Sequence, residues 1–165
     1  MEEHKVLFEA QKKFFNAQRT KSVDFRLEAL RKLKHAIKAQ EQRIVSALKE
    51  DLNKSEFDSF STEIGIVLEE ISFVSKRLSK WARPRKVTTA LTHIGTKGMQ
   101  YPEPYGAVLI IAPWNYPFQL AISPLIGAIA AGNCAIIKPS ELTPMTSALL
   151  AELIHSIYPP EYITV

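Results

Sequence analysis

Residues 106–144 read GAVLIIAPWNYPFQLAISPLIGAIAAGNCAIIKPSELTP, and the fold is decided there. Ala107-Val-Leu-Ile-Ile-Ala112 is a continuous, β-branched apolar run with no polar alternation. Such a run suits a strand buried on both faces, as in a parallel sheet. Pro117 is well placed at the first position of a helix, and Gly132 is well placed to cap its end. Between them lies an apolar stretch in which Pro124 is expected to kink or interrupt the helix. Asn133-Cys-Ala-Ile-Ile137 reads as a second strand. Thr143-Pro144 then opens a helix through Ala148, Leu149, Leu150, Leu153, Ile154 and Ile157. Tyr162-Ile-Thr-Val165 reads as a third strand. The order β-α-β-α-β implies a parallel sheet with right-handed crossovers.

Upstream the period changes. Residues 1–80 carry no proline and a single glycine, Gly65, and they read as helices. Val6, Leu7, Ala10, Phe14 and Ala17 predict a first amphipathic helix. Ser22 is placed to cap a second, with Leu27, Leu30, Leu33, Ile37, Ile44 and Leu48 as one apolar stripe. Ser55 and Asp58 resemble a capping box ahead of a third helix. That helix carries Phe60, Ile64, Val67, Ile71, Val74 and Leu78 on one face. Pro84 ends it, and residues 81–98 read as an irregular connector to a short strand at Met99–Tyr101. The fold class is therefore α/β: a helical N-terminal half followed by the first β-α-β-α-β units of a Rossmann-like parallel sheet.

Composition narrows the function classes. The 165 residues are 46% hydrophobic and 23% charged, as expected of a chain that buries a core. Net charge is +4, with the basic residues dispersed and no reading motif, so nucleic acid is not the expected partner. The most apolar stretch, Phe118 to Ala131, is broken by Gln119, Ser123, Pro124 and Gly127, and no clear membrane segment is present. One cysteine, Cys134, forbids an internal disulfide framework and fits a cytoplasmic setting. It lies in an apolar strand, where an inert thiol is the expected state. His4, His35, His93 and His155 are scattered, and no metal site is expected.

In an open parallel sheet, ligands gather beyond the carboxyl ends of the strands. Two loops qualify, 113–117 and 138–144. In the first, Asn115 precedes a helix N-terminus. It is placed either to cap that helix or to donate an amide hydrogen bond to a developing negative oxygen. Trp114 either lines a cleft or packs between strand and helix. In the second loop, Lys138 and Glu141 either grip the hydroxyls of a ribose or simply pair with each other. The residues alone leave these alternatives open.

Taken together, Gly106–Phe118, Ala130-Ala-Gly-Asn133 and Lys138-Pro-Ser-Glu-Leu-Thr-Pro144 strongly resemble the aldehyde dehydrogenase superfamily. Asp51-Leu-Asn-Lys-Ser-Glu56, Thr62-Glu-Ile-Gly65, Trp81 with Pro84-Arg-Lys86, and Tyr101-Pro-Glu-Pro104 resemble its class-3-type branch, which handles fatty and aromatic aldehydes. The resemblance implies NAD- or NADP-dependent oxidation of aldehydes to carboxylic acids through a thiohemiacetal. By motif, Asn115 would be the oxyanion-hole amide. Trp114, Lys138 and Glu141 would contact the cofactor, Lys138 and Glu141 at its adenosine ribose, and Tyr116 would line the substrate channel. It also implies a full-length homodimer.

Members of this family run roughly three times this length, so the chain is expected to be an N-terminal part of an NAD(P)-binding domain, without the catalytic domain. The family's nucleophilic cysteine and general-base glutamate have no counterpart in these residues. The chain alone is therefore expected to be inactive. A contrasting expectation is a non-catalytic nucleotide-binding or subunit-association module. Against it, the chain stops at the start of a strand, which would leave an unfinished sheet edge.

Overall fold

A computed structural model describes residues 2–165, and side chains from residue 5 onward. The helical half comprises α1 (Glu2–Asn16), α2 (Val23–Ala39), α3 (Glu41–Leu52), α4 (Glu56–Ser59) and α5 (Gly65–Trp81), with a π-helical turn, Phe60–Ile64, between the last two. The strands are β1 (Arg85–Val87), β2 (Gly98–Gln100), β3 (Ala107–Ile111), β4 (Cys134–Lys138) and β5 (Ile163–Thr164). Helices α6 (Gln119–Ala131) and α7 (Pro144–Ile157) make the crossovers. Strands β3, β4 and β5 pair in parallel in that order, as the β-α-β-α-β reading requires.

Four expectations of the fold need correction. β3 is a strand but is not buried on both faces, since it edges the sheet and leaves Leu109 and Ile111 exposed. The stripe from Leu27 to Leu48 is two helices, not one. The chain turns at Gln40, whose N–H is shared between the carbonyls of Ala36 and Ile37. The break lets α2 pack on α5 and α6 while α3 packs on α7, which one straight helix could not do. The connector is less irregular than expected, since β1 and β2 form a small antiparallel ladder pairing Arg85 with Gln100 and Val87 with Gly98. Finally, Pro124 does not interrupt α6. Its missing N–H removes one helical bond, but Ala121, Ile122, Leu125, Ile126, Ala128 and Ile129 are all buried, and tertiary packing holds the helix.

The core runs from the sheet through α6 and α7 into α2, α3 and α5. Side chains lock the layers together. Gln11 Nε2 donates to the Ala135 carbonyl at 3.0 Å, fixing α1 against β4. Tyr158 Oη donates to the Ala29 carbonyl at 2.7 Å, fixing the end of α7 to α2. Among the described residues no helix is long and apolar enough to cross a membrane.

The end of α6 depends on Gly132. It holds the expected left-handed conformation, with φ of 90°. Arg26, nearly buried, donates to the carbonyls of Thr20 at 2.8 Å, Lys21 at 2.7 Å and Ala130 at 3.2 Å. A Cβ on Gly132 would stand 2.9 Å from both Arg26 Nε and the Thr20 carbonyl oxygen. Gly132→Ala is therefore expected to destabilise the chain by about 2 kcal/mol or more, from the positive φ and the collision together. A thermal melt checks this, and an unchanged midpoint would show that Arg26 yields freely.

Candidate functional site

The parallel register sets Ile111, the last residue of β3, opposite Lys138, the last residue of β4. The loops that follow the two strands therefore leave the sheet side by side. This is the carboxyl edge, where an open parallel sheet presents its ligand-binding residues.

In the second loop, Lys138 Nζ donates to Glu141 Oε2 at 2.5 Å, and their side chains are 52% and 76% exposed. The hydrogen bond from Lys138 holds the Glu141 carboxyl below the usual glutamate range. The turn beneath them is stiff. Ser140 Oγ accepts from the Leu142 N–H, and the Ser140 carbonyl accepts from Thr143 Oγ1 and Ser147 Oγ. The pair is thus an accessible cation and carboxylate on a fixed base. This chemistry suits a diol, which can accept from the ammonium and donate to the carboxylate.

In the first loop, Trp114, Asn115 and Tyr116 are all exposed at the surface. Trp114, at 53%, does not pack between strand and helix. Asn115 does not cap α6 either. The helix starts two residues later than expected, and its N-cap position is Phe118, with no capping side chain of its own. The cap comes from far upstream. Glu63 Oε2 accepts from the backbone N–H groups of Phe118 at 2.9 Å and Gln119 at 3.1 Å. Glu63 is fully buried. Its other oxygen, Oε1, accepts from Lys54 Nζ, which also lies 4.2 Å from the centre of the Tyr116 ring.

The same device closes α7. Thr143 holds the N-cap position without a side-chain bond, and Pro144 occupies the first turn. Asp51 takes over the capping role. Its Oδ1 accepts from the Met145 N–H at 3.1 Å and its Oδ2 from the Thr146 N–H at 2.7 Å. Both crossover helices therefore already have a carboxylate at their positive ends. Neither N-terminus is open to the phosphate that such positions ordinarily attract.

Asp51, Lys54 and Glu63 were legible only as parts of motifs, without roles. One local signal was available: Glu63 sits beside Ile64 on the core stripe, next to Gly65, the one glycine of the helical half.

Cys134 is at the other end of β4. It is the first residue of β4 and Lys138 is the last, so about 13 Å of strand separates them at ~3.3 Å per residue. The thiol is buried, and burial pushes it up to about 11. Among the described residues no group of His, Cys, Asp and Glu could hold a metal ion. A groove of about 320 Å³ between α5 and α6, bordered by Arg26, Trp81, Glu103 and Ala131, is lined by none of the loop residues.

Residues 2–165 match the profile of the aldehyde dehydrogenase family. The chain is 51% identical over 154 residues to 4,4'-diaponeurosporen-aldehyde dehydrogenase of Staphylococcus aureus, a match covering 93% of this chain and 34% of that protein. It is 43% identical over 140 residues to aldehyde dehydrogenase family 3 member B1 of Rattus norvegicus, covering 85% of this chain and 30% of the relative. The structure of the substrate-bound state of Staphylococcus aureus AldH superposes with a TM-score of 0.95 at 50% identity, over 98% of this chain and 35% of that one. The chain thus spans about a third of the length of the curated relatives it matches.

Two titrations follow from this geometry. Glu141, followed by NMR, is expected to lose its proton below the ordinary glutamate range and to return to that range in Lys138→Met. The pair is intact above that transition and dissolves as pH falls through it, because a depressed carboxyl is stabilising only while ionised. Cys134 is expected to stay a thiol at pH 8 and to resist iodoacetamide in the folded chain. Rapid alkylation without unfolding would contradict its burial.

Proposed function

The chain belongs to the aldehyde dehydrogenase family, and we propose that it forms part of an NAD(P)-dependent enzyme that oxidises aldehydes to carboxylic acids through a thiohemiacetal. Residues 1–165 would be the N-terminal part of the NAD(P)-binding domain: a helical segment 1–80, a connector 81–98 and the β-α-β-α-β unit 99–165. The observation that carries this reading is the pairing of Ile111 with Lys138, which sets the Asn115 loop beside the Lys138–Glu141 pair at one edge of the sheet.

Asn115 is the proposed oxyanion donor. When a nucleophile adds to a carbonyl carbon, the carbonyl oxygen gains negative charge. An amide N–H already in place stabilises that charge without reorganising. An exposed Asn115 that is not engaged in capping its helix leaves its amide available for this task. The nucleophile would come from outside these residues, because the chain's one thiol is buried at the amino end of β4.

Lys138 and Glu141 fit the hydroxyls of the cofactor's adenosine ribose, and Trp114 fits its border as an exposed aromatic face on the neighbouring loop. The bound nicotinamide nucleotide would supply the hydride acceptor. A lysine at the ribose is compatible with a 2'-phosphate as well as a 2'-hydroxyl, so NAD and NADP are both proposed. The carboxylates at the starts of α6 and α7 argue that the pyrophosphate is held by residues outside this chain. Tyr116, partly exposed beside Lys54, would line the approach of an apolar aldehyde. The class-3-type motifs carry fatty or aromatic aldehydes as the proposed substrate class and a homodimer as the proposed full-length state, and the single cysteine fits a cytoplasmic setting.

A chimera tests this reading. Residues 2–165 would replace the matching third of the Staphylococcus aureus relative, and NAD(P)-dependent aldehyde oxidation would be followed. Asn115→Ala is expected to lower kcat by about 10²–10³ with little change in KM for the cofactor. Lys138→Ala and Glu141→Ala are expected to do the reverse, raising the cofactor KM several-fold with kcat nearly kept. The 165-residue chain alone is expected to turn over no aldehyde. Unchanged kcat in Asn115→Ala would remove Asn115 from the reaction.

A further inference from the structure

Glu63 is an expensive way to begin a helix. A local Ser, Thr, Asp or Asn side chain at the N-cap would satisfy the same N–H groups. Here a carboxylate is taken wholly out of water, and the partners must compensate it fully. They do: two backbone N–H groups of α6 meet Oε2 and the Lys54 ammonium meets Oε1.

The backbone is also deformed to deliver it. Between α4 and α5 the chain makes a π-helical turn, Phe60–Ile64, closed by the Gly65 N–H on the Phe60 carbonyl. The extra residue lets Glu63 and Ile64 point inward together, while Val67, Ile71, Val74 and Leu78 keep the core stripe of α5. Gly65 is required there, since a Cβ would stand 2.9 Å from the Phe60 carbonyl oxygen. Single π turns of this kind are found disproportionately at functional sites.

The clamp has a second jaw. Lys54 is only 16% exposed, and its ammonium meets both Glu63 and the face of Tyr116. Tyr116 and Phe118, one and three residues after Asn115, are thus each tied to the helical half. The tie spans 55 residues of sequence from Glu63 to Phe118. A local cap would fix only the helix. This one fixes the Asn115 loop relative to the rest of the molecule.

We propose that Glu63, held by Lys54 on a π-helical turn, is the positioning residue for Asn115. It does not touch the reacting atoms, but it sets where the Asn115 amide stands. The inference rests on the oxyanion reading of Asn115 given above, and the test separates the two.

In the chimera, Glu63→Gln keeps the shape and removes the charge, and Lys54→Met removes the partner. Each is expected to lower kcat about 10–100-fold with the cofactor KM within about twofold, as small misplacements of a catalytic group do. The deciding measurement is a double-mutant cycle. In an Asn115→Ala background, Glu63→Gln should cost less than about threefold more, because the residue it acts through is gone. Equal losses in both backgrounds would overturn the inference while leaving Asn115 in its role. A silent Asn115→Ala would instead overturn the oxyanion reading, and the inference with it. Should the variants fail to fold in the chimera, the 165-residue chain gives an independent readout. Glu63→Gln, with helical content retained, is expected to speed amide exchange at Phe118 and Gln119 at least tenfold over their neighbours in α6. Unchanged exchange there would mean that Glu63 does not hold the loop.

Discussion

Both crossover helices begin on a carboxylate that reaches them from the helical half. Glu63 closes α6 and Asp51 closes α7, each through two backbone N–H groups. These contacts are the joints between the helical half and the starts of the two crossover helices. The helical segment has its own apolar stripe, and the sheet has its crossovers, but an apolar stripe alone permits sliding. A carboxylate on two N–H groups does not, because its acceptor directions and the helix dipole favour one position. The carboxyl edge of the sheet, where both loops lie, inherits its geometry from these two joints.

The joints also decide what the edge can bind. In dinucleotide-binding folds of the Gly-x-Gly-x-x-Gly type, the first helix N-terminus receives the pyrophosphate. Here the corresponding end faces a buried glutamate, and a second anion in that place would meet like charge in a dry environment. That agrees with the sequence, which has no Gly-x-Gly-x-x-Gly after β3 and instead places Pro113 and Trp114 there. What remains open at the edge is the Lys138–Glu141 pair and the Asn115 amide, groups suited to hydroxyls and a carbonyl oxygen.

Much of this was legible in local patterns. The positive-φ glycine at Gly132 and the proline at the start of α7 are found as expected, and the unbroken run at Ala107–Ile111 is the expected strand, although at the sheet edge it leaves Leu109 and Ile111 exposed. The misreadings share a cause. Gln40 carries no helix-stop signal, and the break there lets α2 reach α5 and α6 while α3 lies along α7. Pro124 is a strong stop signal, but burial of α6 on its flanking faces outweighs it. Capping stayed open as one of two readings of Asn115 because the rule for caps is local, while the actual cap lies 55 residues away. Wherever the deciding partner is distant in sequence, local rules give the residue type and miss its role.

The two carboxylates differ in one respect that bears on which loop is held more firmly. Asp51 is half-buried and caps α7 from the last turn of α3, with water within reach of its surroundings. Glu63 is sealed, with a cation on one oxygen and a helix end on the other. Loss of an exposed cap costs a helix about 1 kcal/mol and lets its first turn fray. Loss of a partner from a sealed charge leaves the other members unpaired in low dielectric, a larger penalty that rearrangement must relieve. The loop carrying Asn115 is therefore tied to the all-or-none integrity of the helical half. The loop carrying Lys138 and Glu141 is held instead by its own hydrogen-bonded turn at Ser140, within one stretch of sequence. That division suits the two tasks proposed for them, since an oxyanion donor must be in place before charge develops, whereas a ribose grip of an exposed cation and carboxylate needs only its own turn to hold the pair together.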